Sequence, residues 1–430
     1  MTTAGAAVPA LVRGAPWRTS LLRRARSLQG GLTVLLATLL WHSSNFMFNS
    51  VSARLLGPSG YSELAATTAL LYVASPLLLS VQTMTSRTFT VLLESGNGPT
   101  ANAYLRRNIR VLGGVACVIA GGAFLLRDAL SGLAHVASGY AVPVAVSGLA
   151  ISLLTHSQRG ALQGASLFNR FAASTATEAT AKVVSAALLL LVVRRDVTSA
   201  VAAIPLAAGC TFAVNRLLLR PLTRRGGRSE VTHAQPAQLP TATVATFAAL
   251  ALLLSVDVIT AKRYLPSAEA GVYAAVSLCG KTVFFATSAV ALVLFPRFSR
   301  VGAKRLLRRG SAIVSAASLA LVAIYFAAPA VVVAPLLGSG FGPAREYVGW
   351  MGLAFGLYGL MYLSAMYLLG QGRRIGAAAL VLVAVVQVAA LLFAHGSVRT
   401  IVFVQLTVFG VGAALLATAA LAVREKHDRS

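Results

Sequence analysis

The chain has 430 residues, of which 57% are hydrophobic and only 11% are charged, with a mean hydropathy of +0.77. Soluble domains carry nearer a quarter charged residues, so this composition excludes a soluble globular protein and predicts a membrane protein with many spans. The formal net charge of +26 would suggest nucleic acid for a soluble chain, but no recognition fold has room to form between the spans. We expect no nucleic-acid partner.

Twelve apolar runs are long enough to cross a bilayer, which takes about 20 residues per helix. They cover 31–53, 64–86, 109–126, 138–156, 171–193, 198–219, 241–261, 268–295, 311–334, 346–369, 375–394 and 399–423. The basic segment before the first run lacks a signal-peptide cleavage pattern and is interpreted as a cytoplasmic tail. The sequence therefore predicts an all-α polytopic membrane protein.

Basic residues are concentrated in the connections on one side of these spans. Of the 37 Lys and Arg residues, 27 lie in the tails and the even-numbered connections, and 8 lie in the odd-numbered connections. Because Lys and Arg are retained on the cytoplasmic side, both termini are predicted to be cytoplasmic. The remaining two basic residues, Lys182 and Lys281, fall near the middle of predicted spans.

The spans fall into two halves. A connection rich in Gly, Pro and charge follows the sixth span and is interpreted as a linker. Ala53, Arg54 and Pro58 fall in register with Ala261, Lys262 and Pro266. Six spans per half imply a parallel internal repeat with a cavity between the halves. The predicted parts are a basic tail 1–29, a six-helix lobe 30–220, a linker 221–240, a six-helix lobe 241–423 and a tail 424–430.

Four segments in order along the chain carry a family resemblance. They are ARLLGPSGYSELA (53–65), RGALQGASLFNRFA (159–172), DVITAKRYLPSAEAGVYAA (257–275) and PLLGSGFGPAREYV (335–348). In these segments the chain resembles the polysaccharide and oligosaccharide flippases of the multidrug/oligosaccharidyl-lipid/polysaccharide exporter superfamily. Ser62 stands where that family usually has Gly, and Gly340-Phe341 where an acidic-Tyr pair is common. These departures leave the substrate open.

The resemblance implies two six-helix lobes, a central cavity and alternating access in the bacterial inner membrane. The implied cargo is a lipid-linked oligosaccharide, with undecaprenyl diphosphate as the leading carrier, moved for surface polysaccharide biosynthesis. Membrane lipids are expected to contact the chain, and glycosyltransferases or a polymerase of the same pathway are candidate partners. No cofactor, metal or enzymatic activity is expected, because no enzyme motif stands out.

Lys182 and Lys281 are the leading candidates for substrate binding. A cation near the bilayer centre costs roughly 2.5–3.5 kcal/mol on insertion scales, so such residues usually face a cavity or a protein interior. One such lysine lies in each half, and both suit a phosphate. The alternative for Lys182 is a structural pair with Glu178, four residues earlier on the same helix.

Polar residues near the lysines form stripes on predicted helices. Asn45, Asn49, Glu178 and Ser277 are predicted to line the cavity wall, although such stripes also bond neighbouring helices. Asp257 is either a site for a coupling proton or sodium ion or the partner of Lys262 or Arg263. Arg54 is either a gate residue or an interface anchor.

Two other functions remain open. The first is a cation-coupled multidrug exporter of the same superfamily, although two cavity lysines would repel a cationic drug. The second is a non-transporting membrane scaffold of a glycan-assembly complex, for which we expect side chains to fill the cavity.

Overall fold

The computed structural model describes residues 16–223, 241–299 and 302–423, and they are predominantly helical. Residues 1–15 of the predicted tail, most of the predicted linker and the tail 424–430 lie outside the described residues. The α-helices of the described ranges are α1 (Pro16–Glu94), α2 (Gly98–Leu125), α3 (Arg127–Ala134), α4 (Ala141–Gly164), α5 (Phe168–Leu188), α6 (Val197–Thr223), α7 (Thr241–Leu253), α8 (Val256–Tyr264), α9 (Ser267–Leu294), α10 (Ala303–Ala327), α11 (Pro329–Leu337), α12 (Val348–Gly370), α13 (Arg374–Phe393) and α14 (Val398–Ala422).

Helix α1 is two spans joined by a sharp bend at Gly57. The glycine has φ +68° and ψ 178°, a conformation that L side chains rarely adopt. Across the bend, the Tyr61 hydroxyl donates to Asn49 Oδ1 at 3.3 Å. A straight helix would separate residues 12 positions apart by about 18 Å. The two arms, before and after Gly57, therefore fold back against each other.

The described residues contain eleven helices that are long and apolar enough to cross a membrane. The first runs over the 59 residues Leu36–Glu94, far longer than a core of about 30 Å requires. The bend divides it into two crossings, and α7 and α8 together form one. Helices α1–α6 form the N-terminal lobe and α7–α14 the C-terminal lobe. The predicted all-α fold with two six-helix lobes is thus confirmed.

Several helices extend farther than the hydropathy pattern predicts. Helix α1 begins at Pro16, inside the predicted tail, and α2 begins at Gly98, so that only 95–97 separates it from α1. Helix α4 continues to Gly164 and thus includes the start of the connection between the predicted spans 138–156 and 171–193. The reason is that helix ends can carry basic residues beyond the hydrocarbon core, so a basic residue does not mark a loop.

Candidate functional site

A cavity of about 440 Å³ lies in the N-terminal lobe, on the side that faces the C-terminal lobe. The arms of α1, together with α4, α5 and α6, form most of its wall, and Leu254 and Phe285 contribute from the C-terminal lobe. The aromatic residues of the wall are Trp41, Phe48, Tyr72, Phe171 and Phe285. Its charged and ionisable residues are His156, Arg159, Glu178 and Lys182. The predicted wall residues Asn45 and Asn49 also line it.

Lys182 is held against the first arm of α1. Its ammonium donates to Asn45 Oδ1 and lies 5.8 Å from the centre of the Trp41 ring and 5.3 Å from that of Phe48. Both distances fall within the range of cation–π attraction. The Asn45 amide donates to the Trp41 carbonyl at 3.0 Å, which leaves its oxygen facing the lysine. Lys182 and Asn45, both predicted from the sequence, therefore come together; phosphate binding at Lys182 stays a prediction.

Glu178 forms an ion pair with Arg159, a residue that follows the predicted span 138–156 and was therefore expected in a cytoplasmic connection. Its Oε2 lies 2.7 Å from a guanidinium nitrogen of Arg159 on α4. Glu178 and Lys182 form no direct ion pair among the described residues, although they interact electrostatically, so their structural pairing stays a prediction. Arg159 is buried and also donates to the hydroxyl and carbonyl oxygens of Ser174, at 2.9 and 3.0 Å. Its three contacts place the carboxylate of Glu178 in the cavity wall.

Replacing Arg159 by leucine is expected to destabilise the protein by about 3 kcal/mol, because it leaves the Glu178 carboxylate without its partner. The double variant Arg159→Leu/Glu178→Leu is expected to regain part of that loss. Unfolding of the purified variants in detergent measures both effects. An Arg159→Leu variant as stable as the wild type would show that the pair contributes nothing to stability.

His156 is a second cavity residue that the sequence analysis missed. It lies one helical turn before Arg159 on α4 and lines the same cavity. Its Nδ1 is 2.8 Å from the Ser152 carbonyl oxygen. The six histidines are scattered along the chain, and their positions give no indication of which of them lines a cavity. However, His156 and Arg159 are three residues apart and therefore lie on the same face of a helix. The sequence would have indicated this if the predicted span had been continued from residue 156 to Arg159.

A smaller cavity of about 50 Å³ adjoins the first and contains Lys281. It lies between α1 and the α8–α9 region, and Asn49 lines both cavities. His42 closes one side, with its ring stacked on Phe285 at 4.2 Å between centres. Within the described part of the chain, Lys281 makes no hydrogen bond and no ion pair. The sequence-predicted lysines thus lie in adjacent cavities, one from each lobe.

Asp257 is fully buried in the C-terminal lobe. Its Oδ2 accepts hydrogen bonds from the Tyr273 hydroxyl at 2.8 Å and the Ser277 hydroxyl at 2.9 Å. Its Oδ1 has no hydrogen-bond partner among the described residues. Lys262 bonds elsewhere and Asp257 forms no ion pair with it or with Arg263, so the predicted pairing is wrong. Ser277, predicted as cavity wall, is buried beside Asp257 and lines neither cavity.

The break between α7 and α8 lies next to Asp257. The helix is interrupted at Leu254 and Ser255, and the Ser255 hydroxyl is buried without a partner in the described structure. The Gln387 side-chain amide donates to the Leu253 carbonyl at 3.1 Å. The Oε1 of Gln387 is also buried and unpartnered among the described residues. The Ser255 hydroxyl, two residues before Asp257, and the Gln387 side-chain oxygen are thus both buried without a partner in the described structure, and Asp257 interacts electrostatically with Lys281.

Arg54 lies where the lobes meet, at the end of the cavity formed by the Gly57 bend. Its Nε donates to the Leu336 carbonyl at 3.3 Å, and the Ser50 hydroxyl donates to the same oxygen. The side chain itself is exposed. Arg54 therefore joins the lobes at this end rather than lining the cavity, and its role as gate or anchor stays a prediction.

The same end of the molecule has a buried contact between the lobes. Lys262 of α8 donates to the Ser62 hydroxyl at 3.0 Å and lies 4.0 Å from Glu63. Gly271 of α9 packs so closely on the bend that a Cβ there would lie 1.8 Å from the Pro58 carbonyl oxygen. We call the contacts of Pro58, Ser62 and Glu63 with Lys262 and Gly271 the lobe latch. It joins the two lobes at this end of the molecule.

The fold matches solved transporters. An inward-facing multidrug resistance MATE family transporter of the MOP superfamily aligns with a TM-score of 0.70 and 14% identity, over 91% of this chain and 96% of that chain. An outward-facing structure of such a transporter aligns with a TM-score of 0.63 and 12% identity, over 91% and 94% of the chains. A MOP superfamily transporter from Pyrococcus furiosus, described as having a binding pocket of reversed polarity, aligns with a TM-score of 0.61 and 12% identity, over 91% and 94%.

These similarities establish the fold of the chain. No protein-family model matches the sequence, and no curated protein matches it. The superfamily suggested by the sequence fits the fold, whereas the polysaccharide flippase subfamily is not confirmed.

Proposed function

We propose that this membrane protein exports drug-sized amphipathic molecules by alternating access, driven by the entry of a cation. The observation that carries the proposal is the cavity of about 440 Å³ in the N-terminal lobe, to whose wall Leu254 and Phe285 of the C-terminal lobe also contribute. That volume falls within the range of roughly 300–1,000 Å³ typical of drug-sized ligands. The aromatic and apolar walls suit such a ligand, and the similarity to MATE family transporters supports the transport mechanism.

The shape of the cavity fits one stage of the transport cycle. The lobe latch closes the end at the Gly57 bend, and the cavity extends toward Gln82 and Arg159 near the opposite end. With the predicted orientation of the termini, this is an inward-facing state. The alignment with the inward-facing transporter has the higher TM-score of the two conformations compared, which supports that assignment.

Asp257 is our candidate for the site of coupling. Asp257 is fully buried and interacts electrostatically with Lys281 without a direct ion pair, and burying an ionised carboxylate that has no direct partner is costly. Binding a proton, or a sodium ion held by the surrounding oxygen atoms, would remove that cost. Because Asp257 lies on α8 and its two donors lie on α9, a change in its occupancy would act on helices that carry the lobe latch. This proposal replaces the predicted ion pair with Lys262 or Arg263.

A lipid-linked oligosaccharide is the second candidate substrate, favoured by the two lysines at the lobe interface. A headgroup diphosphate would find Lys182 and Lys281 in adjacent cavities. The scaffold hypothesis receives no support, because it expects the cavity to be filled by side chains.

The first test compares a deletion strain with the same strain carrying the wild-type gene. We expect the deletion strain to accumulate amphipathic dyes of a panel that includes cationic, neutral and anionic members, with unchanged lipid-linked glycan in each leaflet. Accumulation of lipid-linked glycan on the cytoplasmic leaflet, with dye levels unchanged, would instead favour the flippase function. No change in either readout would reject export by this chain.

A further inference from the structure

Arginines are concentrated at the end of the C-terminal lobe that lies opposite the lobe latch. They belong to the 3₁₀ turn Phe295–Arg297 after α9, to the first turns of α10 and to the start of α13. Within the described structure, five of them are exposed and form no ion pair. We call these five the arginine platform: Arg297, Arg305, Arg308, Arg309 and Arg374.

Tertiary contacts join the distant segments that carry the platform. The Gln371 side-chain amide donates to the Phe298 carbonyl at 2.5 Å. A Cβ at Gly370 would lie 2.8 Å from that of Phe298, so the turn after α9 packs directly on the end of α12. This close packing holds Arg297 next to the α12–α13 connection, and Arg374 begins the helix that follows it. The two arginines therefore belong to one surface.

No negative charge balances this surface within the described C-terminal lobe. Its carboxylates are Asp257, which is buried, and Glu269 and Glu346, which lie toward the latch end. Helices α10 and α13 also begin at the platform, and neither has an acidic residue in its first turn or a side-chain cap. Because the N-terminus of a helix carries a partial positive charge, an anion there is favourable and a cation is not. The side chains and the backbone thus favour the same kind of ligand.

We propose that the arginine platform binds the headgroup of an anionic phospholipid. Guanidinium groups match the geometry of phosphate oxygens. Exposed apolar side chains adjoin the arginines: Phe295 lies two residues before Arg297, and Ile375 directly follows Arg374. A cation that borders on exposed apolar surface in a membrane protein lies at the depth of the headgroups. A phospholipid supplies both the phosphate and the acyl chains for such a surface, whereas a soluble anion supplies only the charge.

Retention of positive charge on the cytoplasmic side would account for basic residues here without any binding site. That explanation depends only on the number of charges, whereas a site depends on where they lie. Arg106 and Arg107 of α2 are exposed at the same end of the N-terminal lobe. They provide a matched comparison, because replacing them removes as much charge as replacing Arg297 and Arg374.

Native mass spectrometry of the purified full chain measures the affinity of the first bound lipid. The protein is titrated in detergent with phosphatidylglycerol and with phosphatidylcholine of the same acyl chains. We expect the wild type to bind phosphatidylglycerol about tenfold more tightly. Arg297→Gln/Arg374→Gln is expected to lose most of this preference, whereas Arg106→Gln/Arg107→Gln is expected to keep it. Equimolar glycerol phosphate, which lacks acyl chains, should not displace the lipid.

Three results would overturn the proposal: equal affinities for the two lipids, an unchanged preference in Arg297→Gln/Arg374→Gln, or an equal loss in both double variants. Displacement of the lipid by glycerol phosphate would also overturn it, because the site would then bind any small phosphate. If Arg297→Gln/Arg374→Gln does not fold, hydrogen exchange of the wild type decides. Protection of 297–309 and 371–376 in phosphatidylglycerol nanodiscs, relative to phosphatidylcholine nanodiscs, supports the proposal, and equal exchange overturns it. None of these outcomes depends on the proposed export function.

Discussion

Replacing Gly271 by alanine is expected to prevent closure of the lobe latch and to slow transport severely. The added Cβ would lie 1.8 Å from the Pro58 carbonyl oxygen, and backbone atoms cannot give way as a flexible side chain does. Overpacking of this kind costs about 3 kcal/mol, equivalent to a shift on the order of 100-fold in the balance between closed and open states. The inward-facing state would therefore become the minor one.

The distance between the lobes measures this shift directly. Spin labels at positions 59 and 268, on the two sides of the latch, are expected to move apart in Gly271→Ala. Gly209→Ala is the control, because a Cβ at that glycine of α6 would meet nothing within 4 Å. An unchanged distance distribution in Gly271→Ala, with wild-type transport, would show that the latch tolerates the methyl group and does not control access.

Replacing Asp257 by asparagine is expected to abolish accumulation driven by a cation gradient while leaving substrate binding intact. The substitution keeps the shape and the acceptor for Tyr273 and Ser277, at 2.8 and 2.9 Å, but removes the charge that would bind a proton or sodium ion. Proteoliposomes with an imposed proton or sodium gradient provide the measurement. Transport by the variant should fall to the level of protein-free vesicles.

Two comparisons make the Asp257 experiment specific. Asp128→Asn alters an exposed carboxylate whose side chain is 86% accessible. Its ion-pair partner among the described residues is the neighbouring Arg127 at 3.6 Å, and surface pairs of this kind contribute little. It should transport like the wild type. Gradient-driven transport that survives in Asp257→Asn would place the coupling site elsewhere, with Glu178 as the next candidate.

Much of the architecture follows from the chain without the structure. Long apolar runs have one stable form in a bilayer, because each backbone polar group must be paired within its own helix. The hydropathy pattern therefore predicts the helices and their approximate number. The span count and the polar connection after the sixth span predict the division into two lobes. The bend at Gly57 was also foreseeable, since Gly-Pro favours a turn. The positions of the helix ends were harder to predict from the sequence, because basic residues on extended helices resemble loop residues.

In the candidate site too, some features were predicted from the sequence and others became visible only in the tertiary structure. Sequence alone identified Lys182, Lys281 and Asp257, because a charge inside an apolar run is costly and therefore conspicuous. Their direct partners were decided by the tertiary structure. Glu178 forms its ion pair with Arg159, Asp257 accepts from Tyr273 and Ser277, and Lys262 donates to Ser62 across the lobes. The physical reason is that hydropathy and helical spacing describe one helix at a time, whereas the partner of a buried charge is set by which helix packs beside it.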